Sequence, residues 1–262
     1  MQSLNIAHNG LVELDVLSVK HWTNKTFSFS LERPNSLRFR SGEFVMIGLI
    51  VKNKPLLRAY SIASASWESK LDFYSIKVEN GPLTSKLQNV SVGQKVVLRP
   101  KPVGTLVLDA LLPAKRLILF STGTGIAPFA SIIRDPETYE KFDKVILTHT
   151  CRKTDELGYG KALIQEINSD ELLSEFIGTK LLSISTTTRD SSNLTGRLTD
   201  WLKDGRFSDF TGSKLDPSKD RVMICGSIEM LKDHKAICEE SGMIEGSNSK
   251  PGHFVIEKAF VD

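Results

Sequence analysis

The chain has 262 residues, 40% hydrophobic and 25% charged, with a net charge of +3, which is enough for two ordinary domains each with its own core. No apolar run approaches the roughly 20 residues needed to span a bilayer, and residues 1–17 lack a basic-then-apolar leader pattern, so neither a membrane-spanning helix nor a secretory signal is expected. Cys151, Cys225 and Cys238 form no C-x-x-C pair and the five His are scattered, which argues against a disulfide framework or a zinc site and for a reducing, cytoplasmic setting.

Residues 1–110 read as β. Segments 11–19, 26–31, 44–50, 58–62, 72–78 and 95–98 are rich in Val, Ile, Phe and Tyr, and turn material such as Arg33-Pro34-Asn35-Ser36, Ser41-Gly42 and Asn80-Gly81-Pro82 separates them. Short strands at this spacing predict a closed antiparallel β-barrel. Around Pro113-Ala114-Lys115 the pattern changes, and residues 111–262 alternate strands at 116–121, 144–150, 180–186, 221–225 and 253–259 with helices starting at 127, 159, 198 and 228. Such alternation predicts a Rossmann-like parallel sheet with helices on both faces. The fold class expected is therefore a two-domain β + α/β protein, 1–110 and 111–262.

Arg58-Ala59-Tyr60-Ser61 packs a cation, a flat aromatic and a hydroxyl into four residues. Strand alternation sends Arg58 and Tyr60 to one face, where Arg58 can grip a pyrophosphate and Tyr60 can lie flat on an isoalloxazine, with the Ser61 hydroxyl at the ring edge. Alone, the four residues are better read as an ordinary strand with a surface Arg beside a core Tyr. The neighbourhood decides. Gly81-Pro82-Leu83-Thr84-Ser85 follows a strand and reads as a turn into a helix whose free N–H groups and hydroxyls suit an anion, although a plain N-cap would look similar.

Gly123-Thr124-Gly125, followed by Ile126-Ala127-Pro128, lies between an apolar strand and a helix, at the strand edge where open α/β sheets bind dinucleotides. Cys225-Gly226-Ser227 repeats the arrangement, and a small Cys there could touch a nicotinamide; free Cys is also an ordinary buried residue. Arg152, Thr188-Arg189 and Arg197 each lie at or near a strand end of the second domain. Three arginines and a hydroxyl suit a 2′-phosphate, whereas NAD readers place an acid on the ribose, so NADP is expected over NAD.

Charge divides unevenly: residues 1–110 hold 14 Lys+Arg against 8 Asp+Glu, +6, and the remainder 20 against 23, −3. A basic first half is compatible with an acidic docking partner, or with a plain solvated surface. Nucleic acid is a poor candidate, because no basic run is interleaved with aromatics.

Together with Glu257-Lys258-Ala259-Phe260, these motifs resemble the bacterial-type ferredoxin/flavodoxin–NADP reductases, in particular the subclass ending in Ala-Phe-Val, in order along essentially the whole chain. The resemblance implies FAD held by Arg58, Ala59, Tyr60, Ser61, Tyr74, Ser75, Ile76, Lys77, Pro82, Leu83, Thr84, Ser85, Thr124 and Phe260, with Phe260 stacked on the adenine. It implies NADP(H) held by Gly123, Thr124, Gly125, Arg152, Thr188, Arg189, Arg197, Cys225, Gly226 and Ser227. Ser61, Cys225, Glu257 and Ala259 would surround the nicotinamide where a hydride passes to the flavin. The implied enzyme is a monomer that exchanges electrons with an acidic ferredoxin or flavodoxin. A flavin reductase or oxygenase reductase component is the close rival, and a non-enzymatic flavoprotein sensor the distant one. Three cysteines cannot ligate a fused iron–sulfur centre.

Overall fold

The computed structural model describes residues 6–7 and 10–258. Strands β1 (Ile6–Ala7), β2 (Leu11–His21), β3 (Thr26–Glu32), β4 (Phe44–Val51), β5 (Lys54–Ser61), β6 (Lys70–Ile76) and β7 (Lys95–Val103) form one antiparallel sheet in the order β5-β4-β7-β2-β3-β6, with β1 on β2. One helical turn, α1 (Thr84–Leu87), lies between β6 and β7. Alternate side chains of these strands, Phe27, Phe29, Val45, Ile47, Phe73 and Leu98 among them, fill a single core. The sheet curls until its edge strands meet at a seam. Just past β5, Ala63 N–H donates to Asp72 O (2.8 Å), and Ser75 Oγ on β6 donates to the Tyr60 hydroxyl (3.2 Å).

The barrel therefore closes through loop and side-chain bonds at this seam, while its ladder runs from β5 round to β6. The seam matters because β5 is half-buried from Leu56 to Ser61, neither core nor solvent-facing. A strand in that condition presents apolar surface and main-chain groups that a further group could cover.

The second sheet is wholly parallel. Strands β8 (Arg116–Thr122), β9 (Lys144–Cys151), β10 (Leu181–Thr187), β11 (Asp220–Gly226) and β12 (Phe254–Lys258) lie in the order β10-β9-β8-β11-β12. The unbroken apolar run of β8 follows from burial on both faces. Leu117 and Leu119 join the core under α2 (Ala127–Ile132) and α4 (Gly158–Ser169), and Ile118 and Phe120 join the core under α6 (Leu198–Asp204) and α8 (Ile228–Glu240). Helix α8 ends as its Gly242 predicts: at φ +82° Gly242 N–H bonds Glu239 O (2.9 Å) and Met243 N–H bonds Cys238 O (3.0 Å).

Three short helices escape the sequence pattern: α3 (Pro136–Lys141), α5 (Glu171–Ile177) and α7 (Arg206–Thr211). Each is under two turns, too short to show an apolar stripe. The two domains share a core, in which Ala63, Tyr74 and residues 106–108 of the first half pack with α2 and β8. No described helix is long and apolar enough to cross a membrane.

Candidate functional site

Two cavities adjoin where the domains meet. The smaller, about 230 Å³, opens at the barrel seam and is lined by β5 (Arg58, Ala59, Tyr60, Ser61), by β6 (Tyr74, Ser75, Ile76) and by Gly81, Pro82, Leu83 and Thr84 of the turn before α1. The larger, about 640 Å³, lies at the C-terminal edge of the parallel sheet, and its wall carries Gly123, Thr124, Arg152, Thr188, Arg189, Arg197 and Ser227. Tyr74, Ile76 and Thr124 line both. A redox pair split between the two cavities would meet at these three residues.

At the seam, antiparallel pairing with β4 fixes the register of β5, Tyr60 opposite Val45 and Arg58 opposite Ile47. Tyr60 lies edge-on to Phe29 (6.4 Å, 70°) and Phe73 (6.3 Å, 88°), which fixes its ring orientation, and burial pushes its phenol above the usual range. The Arg58 guanidinium donates to Leu57 O (2.9 Å) and, among the described residues, forms no ion pair. An anion in this cavity would meet a cation that no protein carboxylate neutralises.

The glycine-proline turn is tighter than a true helix start. Ser85 N–H is already bonded to Gly81 O (3.2 Å) and Lys86 N–H to Leu83 O (2.9 Å), so Leu83 and Thr84 face the cavity and Ser85 does not line it. Lys77 does not line it either; its Nζ donates to Thr23 O (2.9 Å).

On the second sheet the glycines divide their work. A Cβ on Gly125 would run into the Cys225 carbonyl, and one on Gly226 into Thr122 Oγ1, so these two let the turns after β8 and β11 pack together. Gly123, at φ +54°, meets nothing within 4 Å and, unlike Gly125 and Gly226, lines the cavity, as does Gly196. Among the described residues Thr124 Oγ1 is buried without a partner at the junction of the cavities, and an orphaned hydroxyl is costly unless something bonds it. Arg152 follows β9, Thr188 and Arg189 follow β10, and Arg197 precedes α6. Backbone bonds from Thr188 N–H to Cys151 O (3.0 Å) and Arg189 N–H to Arg152 O (2.9 Å) tie these loops together.

Cys225 is 1% exposed and lines neither cavity; burial drives its thiol far up and the Glu257 charge adds to this. Its neighbour across the ladder is Glu257. Glu257 Oε1 accepts the Thr105 N–H (3.1 Å), Oε2 is buried without a partner among the described residues, and burial raises the carboxyl to about 7. Glu257, Gly125 and Gly226 also stand outside the cavity walls. Ala259 and Phe260 lie outside the described residues.

The sequence pattern gave no sign of Lys25 and Thr26, which line the larger cavity from the β2–β3 turn, or of Glu156, Asp200, Glu229 and Asp233 on the same wall. These come from elements far apart in the chain that only the folded topology brings together.

Comparison with known proteins agrees with this geometry. Residues 13–107 match the oxidoreductase FAD-binding domain family and residues 119–236 the oxidoreductase NAD-binding domain family. The chain is 55% identical to the flavodoxin/ferredoxin–NADP reductase of Rhodobacter capsulatus over 94% of its length and 92% of the relative's. It is 47% identical to the ferredoxin–NADP reductase of Azotobacter vinelandii, over 94% of this chain and 96% of that one. The crystal structure of a ferredoxin NADP+ reductase from Neisseria gonorrhoeae with bound FAD and NADP superposes with a TM-score of 0.87 at 29% identity, covering 97% of this chain and all 100% of that one. From two adjoining cavities on a barrel seam and a parallel-sheet edge, and from these matches, the chain belongs to the ferredoxin/flavodoxin–NADP reductase family.

Proposed function

We propose that the protein is an FAD-dependent ferredoxin (flavodoxin)–NADP reductase, with FAD in the seam cavity and NADP(H) in the sheet-edge cavity. The observation that supports this reading is the sharing of Tyr74, Ile76 and Thr124 between the two cavities, so that dinucleotides bound in both would meet there. Bound FAD supplies the redox chemistry, with two electrons entering as a hydride from NADPH and leaving singly to a carrier.

The residues fit both groups. Arg58 and the Leu83 and Thr84 amides hold a pyrophosphate, Tyr60 covers a flavin face, and Ser61 and Ser75 offer hydroxyls to the ring edge. The Thr124 hydroxyl finds its missing partner at the cavity junction. Arg152, Thr188, Arg189 and Arg197 converge on the 2′-phosphate, and Gly123 admits the dinucleotide backbone. Glu257 stands on the ladder beside Cys225 with one oxygen fixed by Thr105, and holds a proton near neutral pH at the other. Ser85, Lys77, Gly125 and Gly226 act by shaping these walls.

The domain boundary falls between Ala110 and Leu111, where the helical turn Leu108–Ala110 ends and Leu111 pairs with Gly252 of the second domain. The partner is an acidic ferredoxin or flavodoxin, a reading supported by the +6 charge of residues 1–110. Purified protein loaded with FAD should reduce ferredoxin or flavodoxin with NADPH, more slowly as salt rises, because screening acts within about 8 Å at physiological ionic strength. Reduction of free flavins alone, with carriers left oxidised, would assign the chain to the flavin reductases instead.

A further inference from the structure

The larger cavity has a wall that does not belong to the parallel sheet. Lys25 and Thr26, in the turn between β2 and β3 of the barrel, line it together with Arg152 and Glu156. The turn is stiff. Thr23 Oγ1 accepts the backbone N–H of both Lys25 (2.9 Å) and Thr26 (3.1 Å), and the N–H groups of Trp22 and Thr23 converge on Thr26 O (3.1 and 3.3 Å). From the next strand, Lys77 N–H donates to Lys25 O (2.6 Å), and Lys77 Nζ to Thr23 O (2.9 Å).

The turn is also seated against the second domain. Trp22 meets Tyr159 of α4 edge-on at 5.5 Å and 86°, and Tyr159 stacks on Tyr74 at 4.0 Å and 6°. Lys25 is thus carried at a fixed place on the cavity rim, with only its own flexible side chain left to move. Among the described residues it forms no ion pair. The nearest cavity-lining carboxylate in sequence to Arg152, Glu156, is already engaged, with Oε2 accepting the N–H of Arg152 (2.9 Å) and Lys153 (3.3 Å). A compact ammonium on a flexible stem, unpaired at the mouth of a dinucleotide cavity, is suited to a phosphate.

We propose that Lys25 binds a phosphate of NADP(H), so that the flavin-binding barrel itself supplies one cation of the pyridine-nucleotide site. This rests on the reading of the larger cavity as the NADP(H) site. The pyrophosphate of FAD is the competing source of the same chemistry, and it is disfavoured because Lys25 lines the larger cavity and not the one that holds Arg58. A consequence is that the bound nucleotide bridges both domains, and its binding depends on how they are held together.

The test uses the FAD-loaded full chain and titration calorimetry with NADP+, NAD+ and 2′,5′-ADP, alongside measured FAD content. Lys25→Gln is expected to raise the dissociation constant for NADP+ roughly three- to tenfold, a charged hydrogen bond discounted for its exposure. Lys25→Glu should raise it further and Lys25→Arg should restore most of it. A loss confined to NADP+ and 2′,5′-ADP places Lys25 on the 2′-phosphate, and an equal loss with NAD+ places it on the pyrophosphate; both support the proposal. An unchanged NADP+ constant in Lys25→Gln overturns it, and so does a loss of FAD with NADP+ binding intact. Wild-type protein that binds FAD but no NADP+ would overturn the cavity assignment itself, a different failure that the parallel wild-type titration identifies.

Discussion

Arg134 of the α/β domain and Glu68 of the barrel form an ion pair at 2.9 Å across the domain boundary, with side chains only 7% and 10% exposed. Arg134 also donates through Nε to Ala130 O (2.9 Å) and through Nη2 to Ala63 O, beside the barrel seam. The next residue continues the contact, since Asp135 Oδ2 accepts Ser41 Oγ (2.6 Å) and Ser66 Oγ (3.0 Å). The two cavities share residues, so any rotation at this boundary would misalign them. Breaking one partner of a buried pair strands the other charge. Arg134→Met should therefore cost about 3–5 kcal/mol in denaturant unfolding, whereas Glu68→Gln, which keeps hydrogen-bonding capacity, should cost about 1–2 kcal/mol. Equal, small losses for both would mean the pair contributes little to domain alignment.

Glu257 should leave a signature in stability against pH. Burial raises its carboxyl to about 7 from 4.5. Between those values the unfolded chain releases the proton and the folded chain keeps it, so unfolding binds fewer protons and stability falls as pH rises. The contribution is full below pH 4.5 and gone once pH passes about 7, a loss of roughly 3 kcal/mol at most. Glu257→Gln removes the titration while leaving an oxygen for the Thr105 N–H. The difference between wild-type and Glu257→Gln unfolding free energies should therefore change across pH 5–8 and be flat above it. Parallel curves would show that the carboxyl titrates normally.

Arg58 tests the flavin cavity. Its only described partner is the Leu57 carbonyl, so the side chain is available to a ligand. Arg58→Ala should weaken FAD by roughly 1.5–3 kcal/mol, about ten- to a hundredfold in dissociation constant, with the fold intact by circular dichroism. Retention of FAD at wild-type affinity would remove Arg58 from the site.

Arg189 and Arg197 test the choice of nucleotide. Replacing either with Ala should raise the KM for NADPH by about tenfold or more and leave that for NADH nearly unchanged, since only NADPH carries the 2′-phosphate. If both cofactors suffer equally, these arginines hold the loops after β9 and β10 rather than the phosphate.

The sequence was legible where residues repeat with a period or where a strand ends. β8, with its four-residue apolar run from Leu117 to Phe120, reads as a strand buried on both faces, and α8 announced itself through Leu231, His234 and Cys238 and its capping Gly242. Arg58 and Tyr60 could be paired because alternation puts them on one face. Less was readable where packing decides. Nothing local says that Gly125 and Gly226 are glycines for the sake of two loops meeting, because the clashing atoms, the Cys225 carbonyl and Thr122 Oγ1, are distant in sequence or on another strand. Cys225 looked free to touch a ligand, and its burial comes from the third dimension. The same holds for Lys25: it stays exposed, and only the folded topology brings its turn to the rim of the larger cavity.

Anaerobic stopped-flow mixing shows whether two dinucleotides meet at Tyr74, Ile76 and Thr124. The FAD-loaded protein is mixed with NADPH, and in parallel with NADH, while the visible flavin absorbance is followed. Rapid bleaching by NADPH that saturates with nucleotide concentration is expected, with slower bleaching by NADH at the same concentration. A protein that binds FAD stoichiometrically and binds NADP+, yet whose flavin NADPH does not bleach, would contradict it.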